Sequence, residues 1–196
     1  MIELQKNNDT KLLEYLREGN QLRDRAFEVL FNRYGAKLNA FCYFKCSNKS
    51  VSEEIFEDTW LRFLDAAQNG KLIDNVLSYL YKISINLIID HNRKVSSDKA
   101  LKIEYTDISV LESLVNPHDF FSKLENEELI NMIKIAVSNL DEIYRESFVM
   151  YWFGGLTHKE IADILEISTG SVKMRNHRAM QEVIRILKPQ FELNSR

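Results

Sequence analysis

Between residues 24 and 44, apolar side chains recur at 27, 30, 31, 34, 38, 41 and 44. Only an α-helix turns that three-and-four spacing into one continuous face. Little along the chain interrupts helices, because its 196 residues include only two prolines and six scattered glycines. With breakers this scarce and Leu, Ile, Glu and Lys abundant, the expected architecture is all-α rather than a sandwich or barrel. No run approaches the roughly 20 apolar residues that span a bilayer. The opening MIELQKNNDTK has no signal-peptide pattern, so a cytosolic protein, not a membrane protein, is expected. Cys42 and Cys46 lie one helical turn apart, while His91, His118, His158 and His177 are dispersed. Buried, idle thiols are therefore expected rather than a metal site, and no cofactor is implied.

The same spacing marks further helices. A short amphipathic one covers residues 11–18, and Ser50-Val-Ser-Glu53 reads as a capping box ahead of another over 51–67. After a polar break, residues 76–93 form a long, mostly apolar helix. Periodicity then weakens, and residues 96–128 hold three basic against eight acidic side chains. A stretch this long joins domains rather than elements of one domain. Two small helical domains are expected, 1–95 and 123–196, joined by a flexible acidic linker over 96–122. In the second, helices are expected over 123–139 and 141–153, broken at Gly154-Gly155.

The chain as a whole is slightly acidic, yet residues 168–180 hold Lys173, Arg175, His177 and Arg178 and no carboxylate. Thr157-His-Lys-Glu160 is a capping box starting a short helix, Glu166-Ile167 makes a turn, and Ser168 caps a longer helix expected to stop before Pro189. A short helix, a turn and a cationic second helix form a helix-turn-helix. At 100° per residue Val172, Asn176, Ala179, Val183 and Leu187 share the inward side. Ser171, Met174, Arg178 and Gln181 face the opposite way, flanked by Arg175 and His177. Hydroxyl, thioether, amide and guanidinium groups suit base edges, and flanking cations suit phosphates. An ordinary solvated helix face is the blander account, and the absence of any acid over 168–181 weighs against it.

With these motifs in place, the chain resembles bacterial sigma factors of the extracytoplasmic-function group along nearly its whole length. Ala26-Phe-Glu-Val-Leu-Phe-Asn-Arg-Tyr34 is similar to the opening helix of that family's promoter-melting domain. Glu53-Glu-Ile-Phe-Glu-Asp-Thr-Trp-Leu-Arg62 is similar to its polymerase-clamp helix. The segment from Ser78 to Arg93 resembles its helix at the upstream edge of the melted promoter. Leu140-Asp-Glu-Ile-Tyr-Arg-Glu146, Leu156-Thr-His-Lys-Glu-Ile-Ala162, Gly170-Ser-Val-Lys173 and His177-Arg-Ala179 resemble its second domain. Each is weak alone; their order and spacing are specific.

The resemblance implies a non-enzymatic protein with no small-molecule substrate, which binds core RNA polymerase and promoter DNA and has an anti-sigma factor as partner. It implies polymerase contacts at Asp58, Leu61 and Arg62. Contacts to the melted −10 element are implied at Asn75, Tyr79, Asn86, Asp90, Arg93 and Lys94, with the loop 67–75 capturing an unstacked base and Tyr79 or Tyr81 offering it a surface; a place in the core is the blander account of either ring. Contacts to the −35 element are implied at Ser171, Lys173, Met174, Arg175, His177, Arg178 and Gln181. The acidic linker would thread polymerase channels that later hold RNA, although a solubilising tether accounts for the same charge. The chain departs from the family's pattern at Tyr79 (usually Trp), Asn176 (usually Leu) and Glu166 (often Gly). A left-handed residue at Glu166 would cost roughly 1 kcal/mol. Three other classes compete: a stand-alone helix-turn-helix regulator, which leaves residues 53–93 unexplained; a helical adaptor without a DNA role; and an enzyme, against which the sequence has no phosphate loop, nucleophile motif or metal cluster.

Overall fold

The computed structural model describes residues 2–18, 21–46, 48–95 and 127–193, and among these every regular element is helical. In order they are α1 (Ile2–Gln5), α2 (Asp9–Glu18), α3 (Arg23–Lys45), α4 (Lys49–Gln68), α5 (Val76–Val95), α6 (Glu127–Ser138), α7 (Glu142–Phe148), a π-helical turn (Val149–Phe153), α8 (His158–Leu165) and α9 (Thr169–Leu193). The acidic linker expected over 96–122 lies outside the described residues. No described helix is long and apolar enough to cross a membrane.

The apolar stripe of α3 closes against α2, α4 and α5, burying Leu12, Leu16, Leu30, Phe41, Phe63, Leu80 and Tyr81. Each such side chain contributes about 1.5–3 kcal/mol on leaving water. Trp60 of α4 sits among Phe27, Phe31 and Phe63, with ring centroids 5.5, 5.1 and 5.6 Å away. Cys42 and Cys46 are buried thiols outside any disulfide, as expected; burial pushes both up, Cys46 to about 12. Tyr81, weighed above as a base platform, is core. It is fully buried, packs edge-on against Phe41 at 4.8 Å and donates its hydroxyl to the Lys37 carbonyl at 3.3 Å.

Helices α6 to α9 add Ile133, Leu140, Phe148, Met150, Ile161, Val172 and Val183 to the same continuous core. The two halves then pack on each other, α3 and α5 meeting α7, the π turn and α8. Arg145 of α7 is buried and donates to the Phe44 carbonyl at the end of α3 (3.2 Å) and to its own Leu140 carbonyl (2.6 and 3.2 Å). In return Lys45 pairs with Glu142 at 2.7 Å and Glu146 at 3.1 Å. The Lys45 ammonium holds the Glu142 carboxyl below the usual range. Phe153 stacks obliquely on Phe44, 5.4 Å between centroids. Gly154 allows this approach: a Cβ there would lie 2.6 Å from the Tyr81 hydroxyl and 2.5 Å from the Met150 carbonyl oxygen. Gly155 then takes φ 70°, which ends the turn.

Two local expectations change. Asn48, not Ser50, caps α4, accepting from the Ser50 and Val51 amides at 2.8 and 3.4 Å. Asn ranks with Ser as an N-cap, so the earlier residue wins and the helix gains its first turn. The last helix does not stop before Pro189 but runs on to Leu193. Proline removes one N–H bond, to the carbonyl four residues back, and that residue, Arg185, is exposed to water that can take the bond's place.

Candidate nucleic-acid interface

Local chemistry assembles the helix-turn-helix. Thr157 Oγ1 accepts from the Glu160 amide at 3.2 Å, and Glu160 reaches back to the Thr157 amide at 2.8 Å, completing the capping box. Glu166 ends α8 in the left-handed region, φ 55° and ψ 41°. A carboxylate residue thus takes the turn without glycine's freedom, at roughly 1 kcal/mol. Ser168 accepts from the Ser171 amide at 3.0 Å and starts α9. Ser171 is partly committed to this cap, its hydroxyl 2.8 Å from that of Ser168.

The inward face of α9 is as the spacing predicts: Val172, Asn176, Ala179, Val183 and Leu187 are all buried. Asn176 finds half of what its amide needs. Its Oδ1 accepts from Ser147 at 2.8 Å, while its Nδ2 is buried without a partner among the described residues. A buried donor left unpaired costs on the order of 1–3 kcal/mol. Replacing the pair together, Asn176→Leu with Ser147→Ala, should therefore raise stability by about 1 kcal/mol. The check is the urea midpoint at unchanged slope, and a fall would mean that the amide is satisfied in solution.

The outward face holds Lys173, Met174, His177, Arg178 and Gln181, all exposed, with Ser171 and Arg175 half-buried beside them. Met174 keeps 50% of its surface in water. No ion pair involves Lys173, Arg175 or Arg178 among the described residues, whereas Arg185, further along the same helix, is held by Glu182 at 2.9 Å. The unpaired cations share a surface that carries no acid of its own. Among the described residues Arg178 makes one hydrogen bond, donating to the Tyr144 hydroxyl of α7 at 3.1 Å.

The other expected site residues lie on the first half. Asp58, Leu61 and Arg62 fall at three-and-four spacing on α4, opposite the face that buries Trp60 and Phe63; Leu61 is 63% exposed. Tyr79 is half-buried under the Lys71 ammonium, 5.0 Å from its ring centroid. Asn86, Asp90, Arg93 and Lys94 are exposed along α5, with Asp90 and Arg93 3.9 Å apart. Asn75 is already engaged: its Oδ1 caps α5 by accepting from the Ser78 amide at 2.9 Å, and its Nδ2 donates to Glu160 of α8 at 2.8 Å. The loop at one end of the first half therefore touches the helix-turn-helix directly.

Sequence reasoning did not single out three residues that the structure places beside the expected ones. Leu72, in the loop before α5, is 83% exposed, an apolar side chain offered to solvent; it stands beside half-buried Ile73, so the local sequence does not tell which of the two faces water. Tyr144 and Glu160 act across long sequence distances and carry no local signal for it.

Comparison with known proteins agrees in both halves. Residues 30–97 match the family model for Sigma-70 region 2, and residues 131–183 match that for Sigma-70 region 4. The chain is 28% identical over 178 residues to the extracytoplasmic-function RNA polymerase sigma factor SigW of Bacillus subtilis, covering 87% of this chain and 92% of that one. It is 24% identical over 188 residues to the Escherichia coli K12 sigma-E factor, covering 92% and 95%. In fold it resembles CnrH, solved with the cytosolic domain of CnrY, at a TM-score of 0.61, 21% identity and coverage of 92% and 97%. It also resembles the sigma factor RpoE of Bartonella quintana, solved with the anti-sigma factor NepR, at a TM-score of 0.60, 21% identity and coverage of 77% and 89%.

Proposed function

Because the chain belongs to the extracytoplasmic-function group of the sigma-70 family, we propose that its two halves divide the work of promoter-specific initiation between named surfaces. It is a transcription initiation factor that binds core RNA polymerase and directs it to promoters. Residues 1–95 grip polymerase and open the −10 element, residues 123–196 read the −35 element on duplex DNA, and 96–122 link them. The observation that carries the second assignment is the outward face of α9, where exposed cations without ion pairs stand beside groups able to read base edges. Duplex DNA is their natural counter-ion.

On the first half, Asp58, Leu61 and Arg62 form the polymerase contact, on a helix that Glu53, Glu54, Glu57 and Asp58 make acidic and that suits a basic partner surface. Tyr79, Asn86, Asp90, Arg93 and Lys94 line the route of the melted strand, with Asn75 at its start. The protein acts in the cytoplasm and catalyses no reaction of its own. An anti-sigma protein is a further partner, by similarity to the two relatives solved with other proteins bound.

Size-exclusion chromatography with core polymerase, without DNA, tests the whole reading. Co-elution as a one-to-one complex is expected; separate elution of folded protein would favour a stand-alone regulator. Asp58→Ala should lower affinity for core enzyme on the order of 10-fold, since a positioned interfacial charge steers and holds docking. Fluorescence anisotropy at fixed salt measures it, and unchanged affinity would remove Asp58 from the contact.

A further inference from the structure

We infer that Tyr144, on α7 and outside the recognition helix, is a positioning residue that presets the Arg178 guanidinium for base reading. The inference rests on α9 being the recognition helix of the function proposed above.

Arginine reads a base edge through a planar fork of donors, and its long stem must surrender several rotamers to do so. Of the exposed cations on α9, Arg178 has a protein partner, the Tyr144 hydroxyl at 3.1 Å. That partner is chemically distinctive. A carboxylate in its place would neutralise the guanidinium, as Glu182 does for Arg185. A phenol oxygen accepts one N–H and leaves the positive charge whole, with the remaining donors of the fork still available.

The phenol is itself held still. The Tyr144 ring is half-buried against the shared core. The two residues that follow it tie α7 to the first half: Arg145 donates to the Phe44 carbonyl, and Glu146 pairs with Lys45 at 3.1 Å. A rigid acceptor on an anchored helix therefore fixes a flexible donor on the neighbouring one. Ordering a rotamer-rich side chain before the complex forms removes that cost from binding, an effect of about 3- to 10-fold in affinity. It applies to the selected sequence, because only there does the fork meet its bases.

The experiment uses the full chain with core polymerase. Duplexes recovered by the wild-type complex from a pool randomised over the upstream element are compared with scrambled duplexes of equal length. Tyr144→Phe keeps the ring and removes only the hydroxyl. It should reduce the preference for the recovered sequence about 3- to 10-fold, leave the scrambled duplex and polymerase affinity unchanged, and leave the urea midpoint in place. Added to Arg178→Ala it should have no further effect, since the residue it positions is gone. Full wild-type preference in Tyr144→Phe, an equal loss on both duplexes, or additivity with Arg178→Ala would each overturn the assignment. If Arg178→Ala itself left the preference intact, the base-reading role of Arg178 would fall first, and Tyr144 with it.

Discussion

Arg178→Ala is expected to weaken binding to the upstream promoter element by roughly 10- to 100-fold at fixed salt, the value of one good bidentate base contact. The chain's association with polymerase should not change. The side chain is exposed and, among the described residues, belongs to no ion pair and makes one surface hydrogen bond, to Tyr144. Its removal therefore leaves the folded state nearly untouched, and the loss reads binding alone. Gel-shift titration of the polymerase complex on matched and mismatched duplexes measures it. A cation that met only phosphate would lower affinity evenly across sequences and flatten the salt slope by about one. Loss of co-elution with polymerase would instead show that the division of labour between the halves is wrong.

Arg145→Met should destabilise the folded chain by about 3 kcal/mol. The buried guanidinium satisfies the Leu140 carbonyl beside α7 and the Phe44 carbonyl on α3. The second is one of the last carbonyls of a helix, which lack intrahelical partners and attract positive charge. Methionine fills much of the volume but donates nothing, so both oxygens stay buried with those bonds lost. Urea unfolding followed by circular dichroism should show a midpoint lowered by roughly 1–3 M, given ordinary slopes for a chain of this size. A shift smaller than about 0.5 kcal/mol, the range of an indifferent surface change, would mean that water replaces the guanidinium without penalty.

What was legible in the sequence follows from how far each signal reaches. The inward face of α9 was predicted residue by residue, because a 3.6-residue period places Val172, Asn176, Ala179, Val183 and Leu187 together whatever they pack against. The Thr157–Glu160 capping box and the Ser168 cap were legible too, since both close within three residues. Where two local signals competed, local reasoning went astray. Asn48 displaced Ser50 as the cap of α4, and Pro189 did not end α9.

Family resemblance supplied roles for Asp58 and the neighbouring face of α4, but no rule of periodicity distinguishes a docking stripe from a solvated one. Tyr79 and Tyr81 show the same limit. Two residues apart on one apolar helix, they have nearly the same sequence context. Tertiary packing buries one completely against Phe41 and the Lys37 carbonyl, and leaves the other half-exposed beside Lys71.

By itself the sequence determined that this chain is helical, where most helices begin, which faces turn inward and where an acid-free cationic surface stands. Only the tertiary structure decided that Arg145 meets Phe44 across 101 positions, that Asn75 meets Glu160 across 85, and that Tyr144 meets Arg178 across 34. Helix periodicity and capping are set by residues within one or two turns, and so they are written locally. Contacts between distant helices depend on how their faces dock, which no short window of the chain contains.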